Sequence, residues 1–121
     1  MRAIVKESLP RTSAEITFED GYPSMPPTDG NMSVLKVLSQ VSVDLGKGEV
    51  KPYNPGLRGA GDISFIAQYL DCLDGLGVMG GGAHSPNEFV HLNSIPDIEK
   101  RVALLIHRLS TNTTVLTKLK Q

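Results

Sequence analysis

One cysteine in 121 residues, Cys72, excludes an internal disulfide and with it the stapled frameworks of small secreted domains. A lone thiol cannot supply a thiolate cluster either, so any zinc bound here takes His or carboxylate ligands. Nowhere does the chain hold a run of about 18 apolar residues, which excludes an ordinary membrane-spanning helix. Met1 to Pro10 also lacks the long apolar core of a secretory signal. Neither sign of charge is in excess, since 12 Lys and Arg face 13 Asp and Glu for a formal net charge of -1. Without a basic cluster there is no stripe for a phosphate backbone, and nucleic acid is not an expected partner. Taken as a complete chain, this describes a cytoplasmic protein with no membrane association; for a longer parent the compartment is open.

What is present is ordinary globular material. Hydrophobic residues make up 40% and charged residues 21% of a 13.0 kDa chain. That is enough for one compact domain, too little for two, and far from the composition of disordered or collagen-like chains.

Apolar residues at Met1, Ile4, Val5 and Leu9 predict a helix over the first ten residues, ended by Pro10. It opens without an N-cap, as a helix cut into from upstream would; a short frayed helix at a true terminus is the alternative. Ala14 to Phe18 alternates as a half-buried strand does and needs a sheet to join. Gly21 to Gly30, with three prolines, is a connector and the candidate domain boundary. From Met32 to Leu45, Val34, Leu38, Val41 and Leu45 recur at helical spacing, supported by Leu35 and Val37, and Gly46 is placed as the stop. Glu49 to Tyr53 reads as a short strand and Asn54 to Gly61 as a flexible loop. Asp62 is placed to cap a helix with Ile63, Ile66, Ala67 and Leu70 on its apolar side. Cys72 to Val78 reads as a strand running into Met79 to His84, a stretch so bare that it either moves freely or is closely approached. Ser94, Pro96 and Asp97 have the arrangement of a capped helix start, and Ile98, Val102, Leu105, Ile106 and Leu109 form its buried stripe. The tail from Thr111 to Gln121 has little periodicity, and no internal repeat is present. Helices alternating with strands after residue 30 predict an α/β layer, while the first 20 residues resemble half of another unit.

The three histidines have different settings. His107 lies opposite the apolar stripe of the last helix and reads as a solvated surface residue. His91 alternates with Val90 and Leu92, which favours a structural role. His84 follows three glycines at the rim of the bare loop, where an imidazole can project into a cleft; a metal or catalytic role is open, although one histidine makes no zinc site. Gly59-Ala60-Gly61-Asp62 before a helix offers N–H groups to a carboxylate or phosphate, with a tight turn plus N-cap as the alternative. The pattern is neither a nucleotide P-loop nor a dinucleotide fingerprint. No Gly-x-Ser-x-Gly elbow exists, and Cys72 has no neighbouring histidine.

Three segments in order carry a resemblance: Thr17-Phe18-Glu19-Asp20-Gly21-Tyr22-Pro23, then Gly59-Ala60-Gly61-Asp62-Ile63-Ser64-Phe65, then Leu73-Asp74-Gly75-Leu76-Gly77-Val78-Met79-Gly80-Gly81-Gly82-Ala83-His84-Ser85-Pro86-Asn87-Glu88. Together they resemble the C-terminal part of the zinc exopeptidase and amidohydrolase family of glutamate carboxypeptidase, aminoacylase, succinyl-diaminopimelate desuccinylase and peptidase T. The resemblance implies an α/β fold, the C-terminal part of a zinc-peptidase catalytic domain over residues 24–121. Residues 1–23 would be the last helix and strand of an α+β lid domain that often dimerises. His84 matches the family's C-terminal zinc ligand, and Gly59 the glycine whose backbone helps hold the substrate carboxylate. In the family two zinc ions polarise the scissile carbonyl, a carboxylate base activates a metal-bound water, and a peptide or N-acyl amino acid is hydrolysed.

The other family ligands and the base lie upstream of the matching segments and have no counterpart here. An arginine that some relatives carry is replaced by Asp20-Gly21-Tyr22, so substrate preference does not transfer. The leading expectation is therefore a piece of a zinc-dependent peptidase or amidohydrolase, inactive alone. The rivals are an interaction module that forms a homodimer by exchanging the strand Ala14 to Phe18, and an anion-binding α/β domain using Gly59 to Asp62.

Overall fold

A computed structural model of the chain describes residues 1–111. Two helices dominate it: α1, Asp29–Asp44, and α2, Ile95–Thr111. Between them lies a small antiparallel pair, β1 (Gly80–Gly81) and β2 (Phe89–Val90), with Gly80 opposite Val90 and Gly81 opposite Phe89.

Helix α1 starts three residues before the periodicity predicts. Thr28 is its N-cap, and its hydroxyl accepts the Asn31 N–H at 3.1 Å. The prolines and Gly30 disguise this start in the sequence. Gly30 sits inside the first turn, with the Asp71 carboxylate lying where a Cβ would be. The predicted stop at Gly46 holds: φ is +72°, Gly46 N–H reaches Val43 C=O at 2.8 Å and Lys47 N–H reaches Ser42 C=O at 2.9 Å. This pair of bonds is a Schellman closure, which favours glycine.

The core is the seam between the helices. Val34, Leu38 and Val41 of α1 and Ile98 and Leu105 of α2 are buried, each contributing about 1.5–3 kcal/mol by leaving water. All five belong to the stripes read from the sequence. Val102 and Leu109 are half-buried, and Ile106, predicted inside, is exposed. Two ion pairs brace the seam, Lys47 with Asp97 at 2.6 Å and Arg108 with Asp44 at 2.5 Å.

Where the prediction fails, the segment has nothing to pack against. The helix over residues 1–10 shrinks to one 3-10 turn, Ile4–Lys6, with Met1, Ile4 and Leu9 exposed. A helix so short does not hold itself in water. Ala14 to Phe18, Glu49 to Tyr53 and Cys72 to Val78 are not in strands, since a strand needs a ladder partner and none faces them among the described residues. The predicted helix after Asp62 is a 3-10 turn, Asp62–Phe65, followed by further turns to Leu70. Its cap position is Gly61 rather than Asp62, with no side-chain cap. Ile66 and Leu70 are exposed, so no burial locks it into an α-helix. Ser94 does not act as the predicted cap: its hydroxyl donates to His91 C=O at 2.6 Å and accepts the Met79 N–H at 3.4 Å. Asp97, assigned to the capping box, is the partner of Lys47. The reading of the tail beyond Thr111 lies outside the described residues.

Candidate functional site

A cleft of about 960 Å³ opens beside α1, with a smaller recess of about 250 Å³ against it. Its walls come from four separate stretches: the connector at Met25 to Pro27, one face of α1, the loop from Pro52 to Ala60, and the segment from Cys72 to Gly75. His84 completes the rim.

Asn31 holds these stretches together. Its side chain is buried, its Nδ2 donates to Pro26 C=O at 3.0 Å, and its Oδ1 accepts the Cys72 N–H at 2.6 Å. One residue thus ties the connector, the start of α1 and the strand-like segment at Cys72. Sequence reading missed it; the available signal is Thr28-x-x-Asn31 directly after two prolines. Across the mouth, Arg58 donates from Nη2 to Met25 C=O at 3.0 Å and fixes the loop against the connector. From sequence alone Arg58 is part of a flexible loop and nothing more.

His84 stands on the tip of the β1–β2 hairpin. The glycines before it exist because of close approach rather than mobility: a Cβ on Gly80 would lie 2.1 Å from the Phe89 carbonyl oxygen, and one on Gly81 2.9 Å from the Phe89 ring. Ser85 N–H bonds Gly82 C=O at 3.1 Å, Glu88 N–H bonds Ser85 C=O at 3.1 Å, and the Ser85 hydroxyl donates to Gly82 C=O at 2.7 Å. Within this turn His84 is held at φ +63°. A non-glycine residue in that region costs about 1–3 kcal/mol, and such strain concentrates at functional sites.

Gly59 lines both the cleft and the recess, and an added Cβ there would meet nothing within 4 Å, so its backbone is open to a ligand. The cleft brings Gly59 and His84 onto one surface, together with Asp74. The helix-dipole contribution expected at Gly59 to Asp62 is absent, since only a four-residue 3-10 turn follows. In the recess wall Tyr22 donates its hydroxyl to Asp62 at 3.1 Å and packs on Phe65 at 5.0 Å. The Asp62 hydrogen bond, then its charge, pushes the Tyr22 phenol up. Cys72 is buried at the cleft wall, and desolvation, then the Asp71 carboxylate, raises its thiol above the ordinary value.

His91 and His107 are exposed and away from this surface. His91 extends the hairpin by donating its N–H to Met79 C=O at 2.8 Å and rests edge-on against Phe89. Among the described residues no three His, Cys, Asp or Glu side chains gather as a metal-binding group. One imidazole at a cleft rim is a single donor, so these residues alone do not fit a zinc ion.

Two helices, a short antiparallel pair and this cleft make a small α/β unit, and its sequence matches the family described as Peptidase family M20/M25/M40 over residues 4–109. The chain belongs to that peptidase family. No curated protein and no solved structure matches it. No helix among the described residues is long and apolar enough to cross a membrane.

Proposed function

We propose that these residues are the C-terminal portion of a zinc-dependent metallopeptidase or amidohydrolase that cleaves a peptide or N-acyl amino-acid amide bond. His84 serves as one zinc ligand and Gly59 as a backbone donor to the substrate carboxylate. The carrying observation is that these two residues, distant in sequence and matched to the family by motif alone, line one cleft. The positive φ of His84, inside a turn closed by the Ser85 hydroxyl on Gly82 C=O, agrees with a backbone held in one conformation at the cleft rim. On this reading residues 1–23 belong to the lid domain and residues 24–121 to the catalytic domain. The remaining ligands and the general base come from residues outside this sequence.

The exposed surface supports the part of this reading in which further residues pack against the chain. The accessible area is 9865 Å² where a compact 13.0 kDa protein has roughly 6300 Å². Phe65, Tyr69, Val78, Met79 and Phe89 are all at least half exposed. These side chains are apolar area that a further part of the protein would take out of water. The test is hydrolysis of N-acyl amino acids by the intact gene product before chelation, after it, and after zinc is restored. Activity lost to chelation and regained with zinc is expected; activity indifferent to chelation, or zinc-dependent hydrolysis by the 121 residues alone, overturns the reading.

A further inference from the structure

Aspartate followed directly by glycine occurs at Asp20-Gly21, Asp29-Gly30 and Asp74-Gly75, and the fold holds these pairs in different ways. Asp29 and Gly30 lie in the first turn of α1, where Thr28 caps the helix and the Asp71 carboxylate covers Gly30. Asp20 and Gly21 are exposed outside any element, and a Cβ on Gly21 would meet nothing within 4 Å. Asp74 is also exposed and outside any element, but its side chain folds back on the backbone: Oδ1 accepts the N–H of the next residue, Gly75, at 2.7 Å. Cγ is bonded to that oxygen, so it stands about 3–3.5 Å from the Gly75 nitrogen, the separation of a near-attack pair. Gly75 has no side chain to crowd the nitrogen and is held at φ +74°, which glycine adopts without steric cost.

We propose that Asp74-Gly75 is a self-modification site, where the folded chain forms a succinimide and then an isoaspartyl link in the wall of the cleft. With the Asp74 carboxyl protonated, the Gly75 nitrogen attacks Cγ and an N–Cγ bond forms. The carboxyl OH and the amide proton leave together as one water, which closes the imide ring. Water then opens that ring. Addition at Cγ restores aspartate, whereas addition at the Asp74 main-chain carbonyl leaves the backbone running through Cβ and Cγ. Net composition is unchanged, and water is the sole co-reactant. The consequence falls on the cleft, because Asp74 lines both it and the recess. Asp74 Oδ2 lies against the Gly61 backbone, 3.0 Å from the place a Cβ on Gly61 would take. The isoaspartyl form lengthens the main chain by one carbon between Leu73 and Gly75 and hangs the carboxylate directly on Cα, so the charge withdraws from Gly61. None of this depends on the peptidase reading.

The test is incubation of the 121-residue chain in water enriched in oxygen-18 at mildly acidic pH, folded and in concentrated urea, with label at each pair located by peptide fragmentation. Each passage through the imide inserts one labelled oxygen. Asp74 is expected to take up label at least about threefold faster in the folded chain than in urea, because the fold has already fixed torsions that the unfolded chain must find. Asp29, held by its helix, is expected to be slower folded than in urea, and Asp20 about equal in both. Asp74→Asn keeps an Oδ1 acceptor for the Gly75 N–H and reaches the same imide with ammonia as leaving group, so its deamidation is also faster folded than in urea. A smaller acceleration at Asp74, a slowing there, equal folded rates at the three pairs, or an Asp74→Asn chain that deamidates no faster folded than in urea overturns the proposal.

Discussion

Asn31→Ala is the most informative single change to the scaffold of the cleft. The side chain is 6% exposed, and it makes two hydrogen bonds that join segments 5 and 41 residues away. Truncation removes both, at about 0.5–1.5 kcal/mol each, and strands the Cys72 N–H without a partner, which costs about 1–3 kcal/mol. The expected loss is about 3 kcal/mol, read as a lower urea midpoint at unchanged slope. Cys72 offers a local reporter, since it is 7% exposed and its backbone hangs on Asn31. Disulfide exchange with an aromatic reagent at neutral pH is slow in the wild type because the thiol is both covered and held protonated by burial. If Asn31 holds this segment with about 2–3 kcal/mol, the variant reacts some 30- to 150-fold faster. Asn31→Asp keeps an acceptor for the Cys72 N–H and loses the donor to Pro26, so its thiol reacts at an intermediate rate. A midpoint within about 0.5 kcal/mol of wild type together with unchanged Cys72 reactivity refutes the clamp.

Leu105→Ala, at a site 4% exposed in the seam, costs about 2–5 kcal/mol in urea unfolding, whereas Ile106→Ala, at 61% exposed, stays within about 0.5 kcal/mol. Gly80→Ala forces a Cβ onto the Phe89 carbonyl and breaks the hairpin, detected as faster hydrogen exchange at the His91 amide; Gly77→Ala, where no atom lies within 4 Å, leaves that exchange unchanged. His84→Gly relieves the positive φ and raises the urea midpoint by the equivalent of about 1 kcal/mol; a lowered midpoint refutes the strain at His84. Gln40, then Arg108, hold the Asp44 carboxyl below the ordinary range, and Lys47 does the same for Asp97. A depressed folded pKa adds stability above the unfolded value, about 3.9, and that stability is lost as pH falls through the folded value. The urea midpoint therefore drops in acid, and Asp44→Asn with Asp97→Asn flattens that drop.

The two long helices and their contact stripes are legible in the sequence because both ends of the argument are local. Val34, Leu38 and Val41 repeat at helical spacing, and Gly46 supplies the positive φ that the closure needs. The short elements are not legible in the same way. Ala14 to Phe18 has a strand's alternation and Cys72 to Val78 reads as a strand, but a strand is a property of a pair, and no partner meets either among the described residues. The actual ladder, Gly80–Gly81 with Phe89–Val90, uses residues whose lack of side chains reads as a loop. Of its two offered explanations, freedom or close approach, the Phe89 contacts select the second. At the site, His84 and Gly59 are visible through motif, whereas Asn31 and Arg58 act through long-range bonds to Cys72 and Met25, which no local pattern encodes.

The proposed role of His84 is that of a zinc ligand in a peptidase site completed by residues beyond these 121. Zinc content and peptide hydrolysis of the intact gene product, wild type against His84→Ala, test it directly. Loss of an outer-shell partner of a metal ligand already costs 10- to 100-fold, so loss of the ligand itself is expected to cost at least about a hundredfold in turnover, with one of two zinc ions lost. A His84→Ala protein that keeps both its zinc and its turnover rules out that role.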